Sequence, residues 1–183
     1  MKRLTAMLAL CLAPMLVHAQ AFVELSLGQA DFGLGAAPGI DVKDTDTSWA
    51  ISGGYMFNPS IGAEAGYRSL GEASVSGTTP GGDSVRATVE FAGVFAGMVG
   101  RFPMADRLHF LGRFGLFLWQ GKARLVENGV LTESADDDGT DLYFGVGASY
   151  AVSRNVDVGA GWTRYDVDGE NLDALELKLR FNF

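Results

Sequence analysis

Apolar residues recur at every second position in eight segments, the period of a β-strand with one apolar face. The last segment is the plainest. Leu175, Leu177, Leu179, Phe181 and Phe183 share one face, and Glu176, Lys178, Arg180 and Asn182 share the other. Before it, Val156, Val158, Ala160 and Trp162 oppose Asp157, Gly159, Gly161 and Thr163. Leu142, Phe144, Val146, Ala148, Tyr150 and Val152 oppose Tyr143, Gly145, Gly147, Ser149 and Ala151. Leu108, Phe110, Phe114, Leu116 and Leu118 oppose His109, Leu111, Arg113, Phe117 and Trp119. Ile61, Ala63, Ala65 and Tyr67 oppose Gly62, Glu64, Gly66 and Arg68, and Ile51, Tyr55 and Phe57 oppose Ala50, Ser52, Gly54 and Met56. Val23, Leu25 and Leu27 oppose Glu24, Ser26 and Gly28. The fourth segment, about 85–102, is the least regular. Placing Ala92, Val94, Ala96, Met98 and Phe102 outward sends Arg101 inward.

The connections alternate in length. Residues 58–60, 103–107 and 153–155 read as short turns, and residues 29–46, 71–84 and 122–139 as long polar loops. Eight strands of about ten residues, joined by short turns on one side and long loops on the other, fit a membrane-spanning barrel. The expected fold is therefore all-β, an eight-stranded antiparallel transmembrane up-and-down barrel with both termini on the short-turn, periplasmic side. A lipocalin-like soluble carrier has the same alternation with the apolar face inside. Lipid outside is favoured because Gly, Ser and Ala crowd the polar face, as a narrow lumen requires, and because aromatics collect near strand ends. Phe57, Phe102, Phe110, Tyr150, Phe181 and Phe183 would form the lower girdle, with Trp49, Tyr67, Phe144 and Trp162 nearer the middle or the upper side. Phe181 and Phe183 also form the terminal aromatic signature expected of a C-terminal assembly signal.

Composition narrows the function. The 183 residues include 25 Gly, about twice the usual share, and one Cys. A formal charge of −8 speaks against nucleic acid, whose phosphates need clustered Lys and Arg. Lys2 and Arg3 precede an apolar run, and Ala19 and Ala21 follow it, which is the layout of a signal peptide over 1–21, cleaved after Ala19 or Ala21. A lipoprotein reading around Cys11 is disfavoured by the bulky Leu10 before it. Removing the signal leaves a 22–183 barrel with 12 basic and 22 acidic residues, a charge of −10, without cysteine and with His109 as its histidine.

The chain resembles the OmpA-like transmembrane β-barrel family of outer membrane proteins. Four stretches carry the likeness. They are Gly54-Tyr55-Met56-Phe57-Asn58 running into Ile61-Gly62-Ala63-Glu64-Ala65-Gly66-Tyr67, and Phe102-Pro103-Met104 running into Leu108-His109-Phe110-Leu111-Gly112-Arg113-Phe114-Gly115-Leu116. The others are Arg164-Tyr165-Asp166-Val167-Asp168-Gly169 and the ending Leu177-Lys178-Leu179-Arg180-Phe181-Asn182-Phe183. The resemblance implies a multi-pass protein of the Gram-negative outer membrane, set among lipid and lipopolysaccharide and inserted by barrel assembly and periplasmic chaperone machinery. It implies a monomer, with a structural or adhesion-type role through the outer loops. Two-domain members continue into a peptidoglycan-binding domain, and the sequence stops at the barrel, so wall anchoring is not carried over.

The expected interior charges are Glu24, Glu64, Arg68, Arg101, Arg113, Glu176, Lys178 and Arg180. An eight-stranded lumen is filled by side chains, and isolated buried ions are costly, so these should pair into a static plug. The alternative is a narrow gated ion pore in which Glu64 or Glu176 exchanges partners among Arg113, Lys178 and Arg180. Asp136, Asp138 and Asp141 are weak metal candidates, because acids beside Gly139 resemble a calcium loop without its full spacing. With Asp41, Asp44, Asp46, Asp166, Asp168 and Glu170 they predict a negative rim that could hold divalent cations. No cofactor is expected. No catalytic residue is assigned either, since His109 is placed at the periplasmic end, away from the outer leaflet where lipid A chemistry occurs.

Overall fold

The computed structural model describes residues 20–33, 41–79 and 81–183. The expected signal peptide lies outside the described residues except for Gln20 and Ala21, which begin the first strand.

Nine strands follow in order: β1 (Gln20–Asp31), β2 (Asp41–Lys43), β3 (Thr45–Met56), β4 (Ile61–Thr78), β5 (Ser84–Pro103), β6 (Leu108–Glu127), β7 (Val130–Ala151), β8 (Val156–Val167) and β9 (Glu170–Asn182). All neighbours pair antiparallel. β1 joins β3 on one side and β9 on the other, and β4 pairs β5, so eight strands close into a barrel with no edge within the membrane. The short β2 pairs β4 through Val42 and Val75, on the same edge as β3 and just beyond it.

Alternation sorts the side chains as the period of two requires. Leu25, Ile51, Tyr67, Val94, Leu116, Val146, Val158 and Leu177 are exposed on the outer wall, while Glu24, Arg68, Arg113 and Glu176 are buried inside. The soluble-carrier reading is thereby corrected, because the apolar face is the outside. The irregular fourth segment resolves too. In β5 Val94 and Ala96 face out and Phe95 and Val99 are buried.

Two loop expectations are corrected. Residues 71–84 and 122–139 are mostly strand. β4 runs to Thr78 and β5 starts at Ser84, while β6 runs to Glu127 and β7 starts at Val130. The turn between β6 and β7 is Asn128-Gly129, with φ of 50° and 80°. Asp168-Gly169 joins β8 to β9 with nearly the same angles, 52° and 80°. Asn-Gly and Asp-Gly tolerate two successive left-handed residues, which is what a tight type I′ hairpin demands.

Strand length splits the barrel into a tall and a short wall. A tilted strand spans a membrane with about 9–11 residues. β1, β3 and β8 have 12 residues and β9 has 13, but β5 and β6 have 20 and β7 has 22. β4 through β7 therefore continue past the membrane as a sheet, with the short β2 on its β4 side, hydrogen-bonded as far as Thr78 to Ser84 and Val85 to Glu127. The ladder between β7 and β8 stops at Tyr143 and Tyr165. Beyond it, among the described residues, the β7 backbone pairs only with β6 and presents a free edge.

Candidate functional site

The lumen is built in storeys. At the periplasmic end Arg101, on β5, makes a 3.1 Å ion pair with Asp157 of β8, and its guanidinium lies 3.2 Å from His109 Nδ1. Alternation places Asp157 inward, but its partner is on a strand that is not its neighbour, so only the closed barrel reveals the pair.

Above this rim runs a chain of buried ions. Arg180 Nε donates to Glu24 Oε2 at 2.9 Å, and Arg113 donates to Glu24 Oε1 at 2.8 Å. Arg113 also stands 3.5 Å from Glu64, whose Oε1 accepts the Tyr143 hydroxyl at 3.1 Å. A second cluster centres on Glu176. It pairs with Arg68 and with Lys178 at 3.1 Å, and it accepts from Thr163 at 3.2 Å. Arg180 lies 4.0 Å above the Phe22 ring and Arg68 5.1 Å from that of Tyr165, so the guanidinium faces also rest on π density. Seven of the eight expected interior residues thus come together, three carboxylates among four cations, and the eighth, Arg101, sits below them at the rim. Each carboxylate has a cation, which is the condition for burying it without a prohibitive desolvation cost.

Tyr143 reaches Glu64 from three strands away, across β6 and β5. Its register partner is Gly115, whose own partner is Gly97, and Gly97 pairs with Glu64. A Cβ on Gly97 would come 2.6 Å from the Tyr143 hydroxyl, and one on Gly115 would come 2.8 Å from its ring. These glycines leave the slot in which the phenol lies.

The upper storey, on the extracellular side, is aromatic. Phe117 meets Tyr165 edge-on at 4.9 Å, Phe95 meets Tyr143 at 5.5 Å, and Tyr143 stacks on Tyr165 at 5.7 Å. Phe91 continues the column from Trp119 to Phe32. Sequence reasoning assigns Tyr143, Phe117 and Trp119 to the inner face. It does not show that they form a plug, because their contacts cross strands.

The acidic residues do not converge on one metal site. Asp136 and Asp138 lie on β7 opposite Lys122 and Gln120, not in a loop. Asp141 points to the other face and accepts Trp119 Nε1 at 2.7 Å. Among the described residues no group of three or more His, Cys, Asp or Glu is placed to hold a metal ion. Phe181 and Phe183 lie at the barrel's periplasmic seam, where the Phe183 amide donates to Ala21 O at 2.9 Å.

Asp46 stands at the extracellular end of β3, beyond the ring pair of Trp49 and Tyr67 and past the stretch of the strand needed to span the membrane. It accepts Lys43 Nζ and the Glu72 amide, both at 2.9 Å, beside the bulge between Ser69 and Gly71. Burial pushes its pKa up, but Lys43 and the Glu72 and Thr47 amides outweigh burial and hold the carboxyl below its usual value. A depressed pKa contributes stability that is present above the unfolded value and lost as pH falls through the folded one. Protection of the Glu72 amide, its exchange relative to a free amide at the same pH, should therefore stay high from neutral pH down and fall only once the pH drops below the ordinary carboxylate range. In Asp46→Ala that protection should be low at every pH.

The chain's relatives agree with this geometry. The family model for the outer membrane protein beta-barrel domain matches residues 4–183. Outer membrane protein A of Klebsiella pneumoniae is 29% identical over 106 residues, which is 57% of this chain and 29% of that protein. The match thus spans under a third of the curated relative's length. Among solved structures, Ail, the attachment invasion locus protein of Yersinia pestis, in complex with the heparin analogue sucrose octasulfate, is similar with TM-score 0.57 and 15% identity, over 91% of this chain and 100% of that one. Neisserial surface protein A gives TM-score 0.57 at 17% identity over 90% and 97%. OprG of Pseudomonas aeruginosa gives 0.58 at 11% over 90% and 96%. At such identities the likeness is one of fold.

Proposed function

The chain belongs to the outer membrane protein beta-barrel domain family and is an integral barrel of the Gram-negative outer membrane, and from that premise we propose that it acts at the cell surface through its extracellular sheet rather than through its lumen. One observation carries the reading: β4 to β7 rise as a continuous sheet above a lumen filled by ion pairs and aromatic rings. Material is invested outside the membrane, and the path through it is occupied.

The free edge of β7 suits contact with another protein, since its unpaired backbone groups from Val130 to Leu142 are a template for an added strand. Val130 and Leu131, 68% and 58% exposed at the tip of the hairpin, offer an apolar anchor. Crystallised Ail carries a heparin analogue, which supports a surface-binding role for this kind of fold without naming a ligand here. The reading includes no enzymatic step. His109 faces the Arg101 guanidinium at the end of the barrel opposite the outer leaflet, so it is badly placed to act as a general base on lipid A.

Shortening the hairpin should separate surface function from folding. A variant that lacks residues 124–134 and is reclosed with Asn-Gly between the register partners Ala123 and Ala135 should still insert and still show a folded, heat-modifiable band. Cells displaying it should adhere to an extracellular-matrix coat less than cells displaying the intact barrel. Equal adhesion by both would refute the reading.

A further inference from the structure

Above the membrane the two faces of the sheet differ. Register carries the lumen-side face upward through Val89 opposite Ala123 and Ala87 opposite Leu125, and onto β7 at Ala135 and Glu133. Ala87, Val89, Ala123, Leu125 and Ala135 line an apolar groove of about 170 Å³. On β7, Glu133 and Asp137 flank Ala135 on this face, and all three are exposed. Among the described residues, no Lys or Arg of β4 to β7 shares this part of the face. The outer face is balanced instead, because Asp136 and Asp138 have Lys122 and Arg124 one strand back on β6.

Three observations describe what the β7 edge accepts. The first is backbone. β7 pairs β6 antiparallel, so every second residue turns its N–H and C=O away from β6. The Asp168 amide, from the β8–β9 turn, donates to Asp141 at 3.3 Å, and from Thr140 up to Thr132 the edge is open. Such groups are satisfied by an extended segment. The second is charge. Glu133 and Asp137 make no ion pair among the described residues. Two copies paired edge to edge about Ala135 would set Glu133 of each against Asp137 of the other, and like charges directly opposite are destabilising. A polyanion is repelled as well. The third is the groove, which begins at Ala135 and has room for an aliphatic side chain. We infer that the β7 edge takes an extended cationic segment of another protein, with Lys or Arg beside Glu133 and Asp137 and one aliphatic side chain between them over Ala135. The inference rests on the reading of this sheet as the binding surface and names the chemistry of what binds there.

The probe is the capped peptide Thr-Lys-Thr-Val-Thr-Lys-Thr. It reads the same in both directions, so parallel and antiparallel pairing are both open to it. It is titrated into the full barrel, isotope-labelled and refolded in phospholipid nanodiscs, and amide shifts are followed by NMR. Amides between Thr132 and Thr140 should shift most. Glu in place of both Lys should abolish the shifts, and Ser in place of Val should weaken binding about threefold or more. Glu133→Gln combined with Asp137→Asn should weaken it about fivefold. A peptide N-methylated at every residue keeps its charges and loses its donors, so the native barrel should not bind it. Equal binding of that peptide, unchanged binding by the double variant, or shifts spread evenly over all the acidic loops would overturn the proposal. So would concentration-dependent shifts of the same amides without peptide, since a second copy would then hold the edge. Adhesion lost on shortening the hairpin, with no preference among the peptides, would overturn this inference and leave the surface reading standing.

Discussion

Arg113→Ala should cost the barrel about 3–5 kcal/mol, the usual effect of removing one partner from a buried ion pair. Arg113 is the joint of the network, donating to Glu24 at 2.8 Å and standing 3.5 Å from Glu64. Without it Glu24 keeps Arg180, while Glu64 keeps the Tyr143 hydroxyl, a neutral donor facing a buried carboxylate. Both carboxylates are nearly inaccessible to water, at 2% and 3% exposure, so solvent does not make up the loss. The double variant Arg113→Ala with Glu64→Gln should recover part of the deficit, because it removes the orphaned charge together with its partner. Urea unfolding of the barrel refolded in vesicles, followed by the heat-modifiable band, measures both. A single variant as stable as the native chain would mean that the network contributes nothing.

Phe117→Ala should cost about as much, some 3–5 kcal/mol, by a different mechanism. Phe117 is wholly buried and sits edge-on to Tyr165 in the middle of the aromatic plug. Truncation leaves a cavity in the storey that separates the ion network from the extracellular mouth. Phe117→Leu keeps most of the volume and should cost less, under about 1.5 kcal/mol. The same pair of variants tests the closed lumen. In planar bilayers the native protein should give no reproducible conductance, Phe117→Leu none, and Phe117→Ala brief steps if the plug is the barrier. A native protein that conducts, with conductance altered by Glu64→Ala or Arg113→Ala, would favour the gated pore over the closed barrel.

Much of the barrel was legible in advance because its strands obey a local rule. Each spanning strand meets lipid on one side and a crowded lumen on the other, so the two faces must differ in polarity residue by residue. Leu175, Leu177 and Leu179 against Glu176, Lys178 and Arg180 express that rule without any knowledge of neighbours. Strand ends were less legible. Past the membrane both faces of β6 and β7 meet water, so polar residues such as Lys122, Arg124, Ser134 and Asp136 continue the strands without marking them. Backbone hydrogen bonds continue whether or not the side chains alternate. The signal that survives there is Asn128-Gly129, whose tolerance of positive φ announces a tight hairpin in the middle of what reads as a loop.

The site divides along the same line. Inward-facing charges follow from alternation, which is why Glu24, Glu64, Arg68, Arg113, Glu176, Lys178 and Arg180 could be assembled from the sequence. Their partners could not. Arg113 on β6 meets Glu24 on β1, Arg101 on β5 meets Asp157 on β8, and Tyr143 on β7 reaches Glu64 on β4 over two glycines. The sequence by itself determined the number of barrel strands, which face of each is apolar and which charges lie inside, because a period of two is a property of each strand alone. Only the tertiary structure decided how those charges pair, that an aromatic plug stands above them and that β7 ends in a free edge. Closure of the sheet fixes which strands face one another across the lumen, and register fixes which residues stand side by side, and neither is written in any one segment.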